Sequence, residues 1–140
     1  MLIVVVVIGG LTLFSIPKFA VLQERSRLTS ARQEIEAALV TARSAAIQKG
    51  RISKLHINNN KISVTVIPVG GGAEMTVLPV MPLDSVYGIN MSVSDTVIVF
   101  DVRGFAKLYN TGIFKLIGRT RRDSVCVSAS GQIMSRGCTL

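Results

Sequence analysis

Two cysteines, Cys126 and Cys138, stand near the end of the chain with eleven residues between them. In an oxidising compartment they would close a compact disulfide loop, whereas in a reducing one two lone thiols would more often be unrelated. The second chemically loaded stretch is Val102 to Arg122, which carries Arg103, Lys107, Lys115, Arg119, Arg121 and Arg122 and no acidic residue. Phe105, Tyr109 and Phe114 are interleaved with these cations. Exposed together, such residues would form a basic surface with aromatic platforms for a single-stranded nucleic acid. The plainer reading is a solvated basic face with its aromatics turned into a core. Lys115, Arg119, Arg121, Arg122 and the more distant Arg136 are the candidates for polyanion binding.

Catalytic chemistry finds little material. The single histidine, His56, sits in a strand-like pattern and reads as a surface or packing residue, not as a base. Glu34 and Glu36 are neighbouring polar positions on a helix, not a facing pair, and Gly70-Gly71-Gly72 lacks the Lys-Ser or Lys-Thr that completes a phosphate loop. No Gly-x-Ser-x-Gly elbow or activated nucleophile is visible. No cofactor is expected, and no ligand spacing around His56 predicts a metal. The sequence predicts a protein that is not an enzyme.

The elements that must position these residues are bounded by length and composition. The chain has 140 residues, enough for one domain. Hydrophobic residues make up 49% and charged ones 17%, against about 25% charged in an ordinary soluble domain. This excludes a disordered or collagen-like chain and leaves more apolar residues than a globular core of this size needs. The formal net charge of +8 is compatible with nucleic acid, anionic lipid or acidic surfaces and says nothing about fold. Up to Gly50 there are six basic and three acidic residues, and beyond it ten and five, so the excess is not an isolated tail.

Much of the apolar excess lies between Met1 and Pro17, where no charge occurs before Lys18. As a helix this segment would extend about 25 Å, slightly short of a hydrocarbon core of about 30 Å. It would span with a few apolar residues before Met1. It shows neither the basic flank nor the small-residue cleavage site of a secretory signal, and a helix apolar all round needs a membrane or a large surrounding core. Beyond Pro17 the helical period continues. Leu28, Ala31, Ile35, Ala38, Leu39, Ala42 and Ala46 recur at three- and four-residue steps, with Arg25, Arg27, Arg32, Glu36, Arg43 and Lys49 mostly on the other sides. Ala, Leu, Arg, Gln and Glu favour the helix, and Lys49 before Gly50 reads as its last turn and cap. One helix of nearly fifty residues is predicted. It divides the chain into a hydrophobic membrane or filament-core helix over 1–22, an amphipathic helix over 23–50 that packs on a sheet, and a C-terminal β-domain over 51–140.

After Gly50 the period becomes two. Ile52, Leu55 and Ile57, then Asn58-Asn59-Asn60, then Ile62, Val64 and Val66 read as a hairpin with an Asn-rich turn. The Gly70–Gly72 run and the prolines Pro79 and Pro82 predict a loop beside an edge strand. Further strands are predicted at Thr96–Phe100, Phe105–Tyr109, Ile113–Ile117, Val125–Ala129 and Gln132–Ser135. The expected architecture is α+β, a long N-terminal helix covered by a C-terminal antiparallel sheet.

At this level the chain resembles the type IV pilins and pseudopilins. The segment Met1 to Leu11, the later Pro17 and the polar continuation Gln23-Glu24-Arg25-Ser26-Arg27-Leu28 are similar to that family's N-terminal helix, just after the Phe-Thr-Leu-apolar-Glu with which mature members begin. Ala42-Arg43-Ser44-Ala45-Ala46 followed by Gly50 resembles the GspH and FimT type of minor pilin and pseudopilin. Val99-Phe100-Asp101-Val102-Arg103-Gly104 and Ser130-Gly131-Gln132-Ile133 resemble that type's β-domain.

The resemblance implies a type IV pilin-like fold and a structural subunit. It would be anchored in a bacterial inner membrane before assembly and then polymerised through its N-terminal helix into a periplasmic or extracellular filament, a type IV pilus or a type II secretion pseudopilus. Its partners would be identical or related pilin subunits, an assembly platform and a prepilin peptidase, with a methylated mature N-terminus. Leu2, Val5, Ile8, Leu11 and Phe14 would then face membrane or neighbouring helices. Gly9 and Gly10 lower helix propensity and Pro17 removes a donor, so by resemblance to assembled pilins Gly9 to Pro17 would unwind in part within a filament; the alternative is a mere kink at Pro17. Export would make Cys126–Cys138 a disulfide worth about 3 kcal/mol. Some FimT-like DNA-uptake proteins carry Gly-Arg-x-Arg near the C-terminus. Here Gly131 to Arg136 keeps one Arg, and Gly118-Arg119-Thr120-Arg121-Arg122 has the pattern nearer the middle of the domain. The alternative function is therefore a membrane-anchored or filament-borne subunit that binds DNA through its basic β-domain.

Overall fold

The computed structural model describes residues 2–70, 72–108, 111–135 and 138, with residues 2–20 described as helix backbone alone. Helix α1 (Leu2–Lys49) runs through the whole predicted helical region. It ends where the sequence places the stop: Gly50 takes φ +59°, the Gly50 amide bonds the Ile47 carbonyl and the Arg51 amide bonds that of Ala46, the paired closure of a glycine-terminated helix. The stripe Leu28, Ala31, Ile35, Ala38, Leu39, Ala42 and Ala46 is buried along its length. Four alanines in that stripe let the helix axis approach the strands closely. Ile35 and Leu39, fully buried, each contribute about 2–3 kcal/mol of apolar burial. Among residues with described side chains, no helix is long and apolar enough to cross a membrane. The roles expected of Leu2, Val5, Ile8, Leu11, Phe14, Gly9, Gly10 and Pro17 rest on side chains and an assembled state that lie outside the described residues, as do Tyr109 and Arg136.

The β-domain is antiparallel throughout, as the two-residue period requires, but it divides into two sheets. The first has the order β3-β2-β1-β5-β6, built from β1 (Ser53–Asn58), β2 (Lys61–Val66), β3 (Met75–Pro82), β5 (Val97–Phe100) and β6 (Ala106–Lys107). The second has the order β4-β7-β8-β9, from β4 (Asn90–Val93), β7 (Gly112–Ile117), β8 (Arg122–Val127) and β9 (Ile133–Ser135). Helix α1 packs against strands of both. Leu55 and Ile57 of β1, Ile62 and Val64 of β2, and Phe100, Phe114, Leu116 and Val125 meet its stripe to form one core. Ser53 is a buried polar residue there, and its hydroxyl donates to the Ala42 carbonyl at 2.6 Å, so the start of β1 is fixed to the helix.

The hairpin β1–β2 has the expected turn, with Asn59 and Asn60 at φ +45° and +60°. Asn60 does more than turn: its side chain accepts from the Met91 amide at 2.8 Å and its carbonyl accepts from the Leu83 amide at 2.8 Å, joining the first sheet to the second. Strand β3 is the predicted edge, and register shifts against β2 fall on either side of Leu78, one of them spanning Pro79 and Val80. Two elements were not anticipated. The short helix α2 (Leu83–Tyr87) is bounded by Pro82 and by Gly88 at φ +65°, and β4 follows it. Of the predicted strand Phe105–Tyr109, Ala106–Lys107 is strand among the described residues, and it starts late because the Asp101 side chain folds the preceding segment into a turn by accepting from the Arg103 and Phe105 amides.

Candidate functional site

Strands β7 and β8 carry the cations singled out in the sequence. Alternation sends Phe114 and Leu116 into the core and leaves Lys115 and Ile117 outward. The pairing Lys115 with Ser124 and Ile117 with Arg122 sets Lys115 and Arg122 diagonally on the same outer face. Arg119 and Arg121 occupy the turn between the strands, closed by the Gly118 amide donating to the Arg121 carbonyl at 2.9 Å. Lys115, Arg119, Arg121 and Arg122 are all exposed, and among the described residues none of them is in an ion pair.

What holds this turn is Glu24 of α1. One carboxylate oxygen accepts from the Thr120 amide at 2.7 Å and the Arg121 amide at 3.3 Å, and the other accepts from the Thr120 hydroxyl at 2.6 Å. The Thr120 hydroxyl first, then its amide, hold the Glu24 carboxyl below the usual carboxylate range. Gly118 makes room for this: a Cβ there would stand 2.7 Å from a Glu24 oxygen, 3.1 Å from the Arg121 carbonyl and 3.3 Å from Leu28. The glutamate therefore binds backbone and hydroxyl, and among the described residues it makes no ion pair with the guanidinium groups. Arg32 adds a second tie, 3.2 Å from Asp123 of β8 and 3.5 Å from Glu36. Between helix and turn lies a cleft of about 480 Å³ with Val21, Arg27, Tyr87 and Arg119 among its walls.

The stretch Val102 to Arg122 is one run in sequence but two places in space. Gly104, beside Arg103, packs on Arg43 and Ile47, some nineteen residues and about 28 Å along α1 from Glu24. Of the interleaved aromatics, Phe114 is 1% exposed within the core and Phe105, half exposed, belongs to the Gly104 end, while Tyr109 lies outside the described residues. At that end the two segments that carry the β-domain resemblance meet. Gly131, at φ +74°, rests against the Gly104 carbonyl so closely that a Cβ would collide with it, and Arg43 donates to the Gly131 carbonyl at 3.0 Å. The Ala106 amide bonds the Ala129 carbonyl at 3.0 Å, closing one sheet onto the other.

Cys126 of β8 and Cys138 are joined in a disulfide, Cα to Cα 6.1 Å, which fastens the end of the chain to the second sheet. On the outer face of the first sheet His56 meets Thr65 at 3.0 Å and Glu74 at 3.2 Å through the same ring nitrogen, Nε2. Together they form a polar clasp between strand and loop. Lys54 completes it at 2.7 Å from Glu74. Hydrogen bonds from Lys54 and then Thr65 pull the Glu74 carboxyl down to about 2. Among the described residues no three His, Cys, Asp or Glu side chains are grouped to hold a metal ion.

No protein-family model matches the chain, and no curated protein matches it in sequence. Solved structures do match. The type IV minor pilin FimU of Pseudomonas aeruginosa superposes with a TM-score of 0.67 at 17% identity, over 83% of this chain and 92% of FimU. A second crystal form of FimU gives 0.63 at 16% identity, over 79% and 93%. The minor pseudopilin EpsH from the type 2 secretion system of Vibrio cholerae gives 0.63 at 10% identity, over 79% of this chain and 96% of EpsH. A long helix laid across two antiparallel sheets, matched over nearly the whole of these subunits, is the type IV pilin fold, and this chain has it.

Proposed function

We propose that the chain is a structural subunit of the minor pilin or minor pseudopilin kind, built into an envelope filament. The observation that carries this is the extent of the fold match, 83% of this chain on 92% of FimU, joined to a charge-free stretch of sequence before Lys18 that supplies the first part of α1. In this reading 1–22 anchors the subunit in the inner membrane and later packs among neighbouring helices, 23–50 carries the β-domain, and 51–140 is that domain. Membrane and filament are alternative surroundings for the same apolar surface. Burial at about 25 cal/mol per Å² offsets the loss of lipid only when neighbour helices replace it. Prepilin peptidase and an assembly platform would be the processing and extrusion partners, and the work of the protein would be assembly, not catalysis.

Photo-crosslinking tests the reading. A benzophenone side chain at Val5 or Ile8 of the full chain, expressed in the native host, should crosslink to pilin-class subunits in sheared filaments, and the mature protein should show a methylated N-terminal amine. Recovery of crosslinks to lipid alone, with no filament-associated product, would refute it. The DNA-binding alternative draws on Lys115, Arg119, Arg121 and Arg122 sharing one hairpin. The burial of Phe114 takes that one ring out of reach of a base.

A further inference from the structure

The apolar segment ends at Pro17, and Glu24 stands seven residues beyond, about 10 Å along the helix axis. Because Glu24 clasps the β7–β8 turn, Arg119 and Arg121 are held at that same level. Arg25 and Arg27 are exposed on α1 beside them, and Arg122 opens β8. Of the acids at this end, Glu24 is occupied by the turn, Asp123 is paired with Arg32, and Asp84 on α2 is exposed. Cations therefore dominate. Val21 and Leu22, 46% and 62% exposed, place apolar side chains immediately below those arginines. Exposed aliphatic groups under a ring of guanidinium groups form the pattern of an element lying at a membrane interface. The level of about 10 Å is slightly beyond the Debye length of about 8 Å at physiological salt, so the attraction is weak at that distance and becomes strong only when the guanidinium groups close on the headgroups.

We propose that the β7–β8 turn, with Val21 to Arg27 of α1 beside it, docks on anionic phospholipid headgroups of the membrane in which the subunit is anchored before assembly. This rests on the anchoring proposed above. Arg119, Arg121 and Arg122 hold headgroup phosphates, Val21 and Leu22 enter the glycerol layer, and the Glu24 clasp fixes the domain's tilt on the bilayer. Capture by lipid also orients every waiting subunit the same way, with its β7–β8 turn toward the membrane.

The full chain, reconstituted in vesicles of phosphatidylcholine alone or of phosphatidylcholine with phosphatidylglycerol, is first floated on a density gradient and then followed by hydrogen exchange over residues 117–123. Three cations at an anionic surface, each worth up to about a fivefold gain before screening, should together slow exchange in that segment at least about tenfold in the anionic vesicles. The turn at Ser128 to Gly131, at the Arg43 end, should not change. Replacing Arg119, Arg121 and Arg122 with Gln should abolish the difference, and Arg119→Gln alone, which leaves the fold's contacts in place, should reduce it about twofold to threefold. Failure to float with either vesicle overturns the anchoring and this proposal with it. Flotation with equal exchange in the two lipids overturns the docking alone. Slowing by a short DNA duplex, without slowing by phosphatidylglycerol, assigns the patch to nucleic acid and also overturns it.

Discussion

Gly131→Ala is the sharpest single perturbation of this fold. Its φ of +74° costs an alanine about 1–2 kcal/mol. Unlike most such glycines it also has no room, because the new Cβ would meet the backbone carbonyl of Gly104, and a backbone atom cannot rotate aside as a side-chain tip can. Relief requires the Ser128–Gln132 turn to withdraw from β6, which strains two hydrogen bonds, Arg43 to the Gly131 carbonyl and the Ala106 amide to Ala129, each worth about 1 kcal/mol. The expected loss is about 3–5 kcal/mol. Gly50 and Gly70 supply the control: both have positive φ, +59° and +93°, and neither has a heavy atom within 4 Å of an added Cβ. Gly50→Ala should therefore cost only the backbone share, about 1 kcal/mol. Urea unfolding of the full chain in a mild detergent, followed by circular dichroism, reads all three as shifts in midpoint at constant slope. If Gly131→Ala and Gly50→Ala agree within about 0.5 kcal/mol, the Gly104–Gly131 contact is yielding, and the junction of the two sheets is not the rigid point described above.

Three further outcomes follow from the same geometry. Gly118→Ala pushes the Glu24 carboxylate, which can swing away, so stability should fall by only about 1–2 kcal/mol while amide exchange at Thr120 and Arg121 rises at least about tenfold by NMR. Glu74 has a carboxyl pKa of about 2 when folded, against 4.5 ordinarily, so its contribution is present above pH 4.5 and is lost as pH falls toward 2. Its side chain is 35% exposed, which reduces the effect to about 1 kcal/mol, and Glu74→Gln should remove that much of the stability difference between pH 5 and pH 2.5. Reduction and alkylation of Cys126 and Cys138 should lower unfolding stability by about 3 kcal/mol, measured by the same urea titration with intact mass confirming the modification.

What could be read from the sequence was whatever repeats locally. The stripe Leu28 to Ala46 advertises itself through a period of 3.6, and β1–β2 through a period of two around three asparagines. Helix α2 escapes because five residues complete hardly more than one turn, and its signal is only Pro82 before and Gly88 after. The division into two sheets escapes because partners are chosen over long range: β5 pairs with β1 and β4 with β7, whereas chain order alone would pair β4 with β5. Likewise Val102 to Arg122 reads as one basic run, but the chain crosses the length of the domain inside it, leaving Arg103 near Arg43 and Arg119 near Glu24.

Glu24 is the residue whose role the sequence hides most completely, since its partners lie 96 and 97 positions away. A glutamate beside an arginine-rich turn invites the assumption of an ion pair, and an ion pair would tie up a guanidinium group. The structure makes a different use of it. By taking up the Thr120 and Arg121 amides and the Thr120 hydroxyl, the carboxylate fixes the turn against α1 with its guanidinium groups still unspent. Gly118 carries no side chain because that approach leaves none room. A turn whose only task was to connect β7 to β8 would need neither the buttress nor the glycine. Both are accounted for if the hairpin must present its positive charge at a fixed height on the helix, close above the segment where charge is absent.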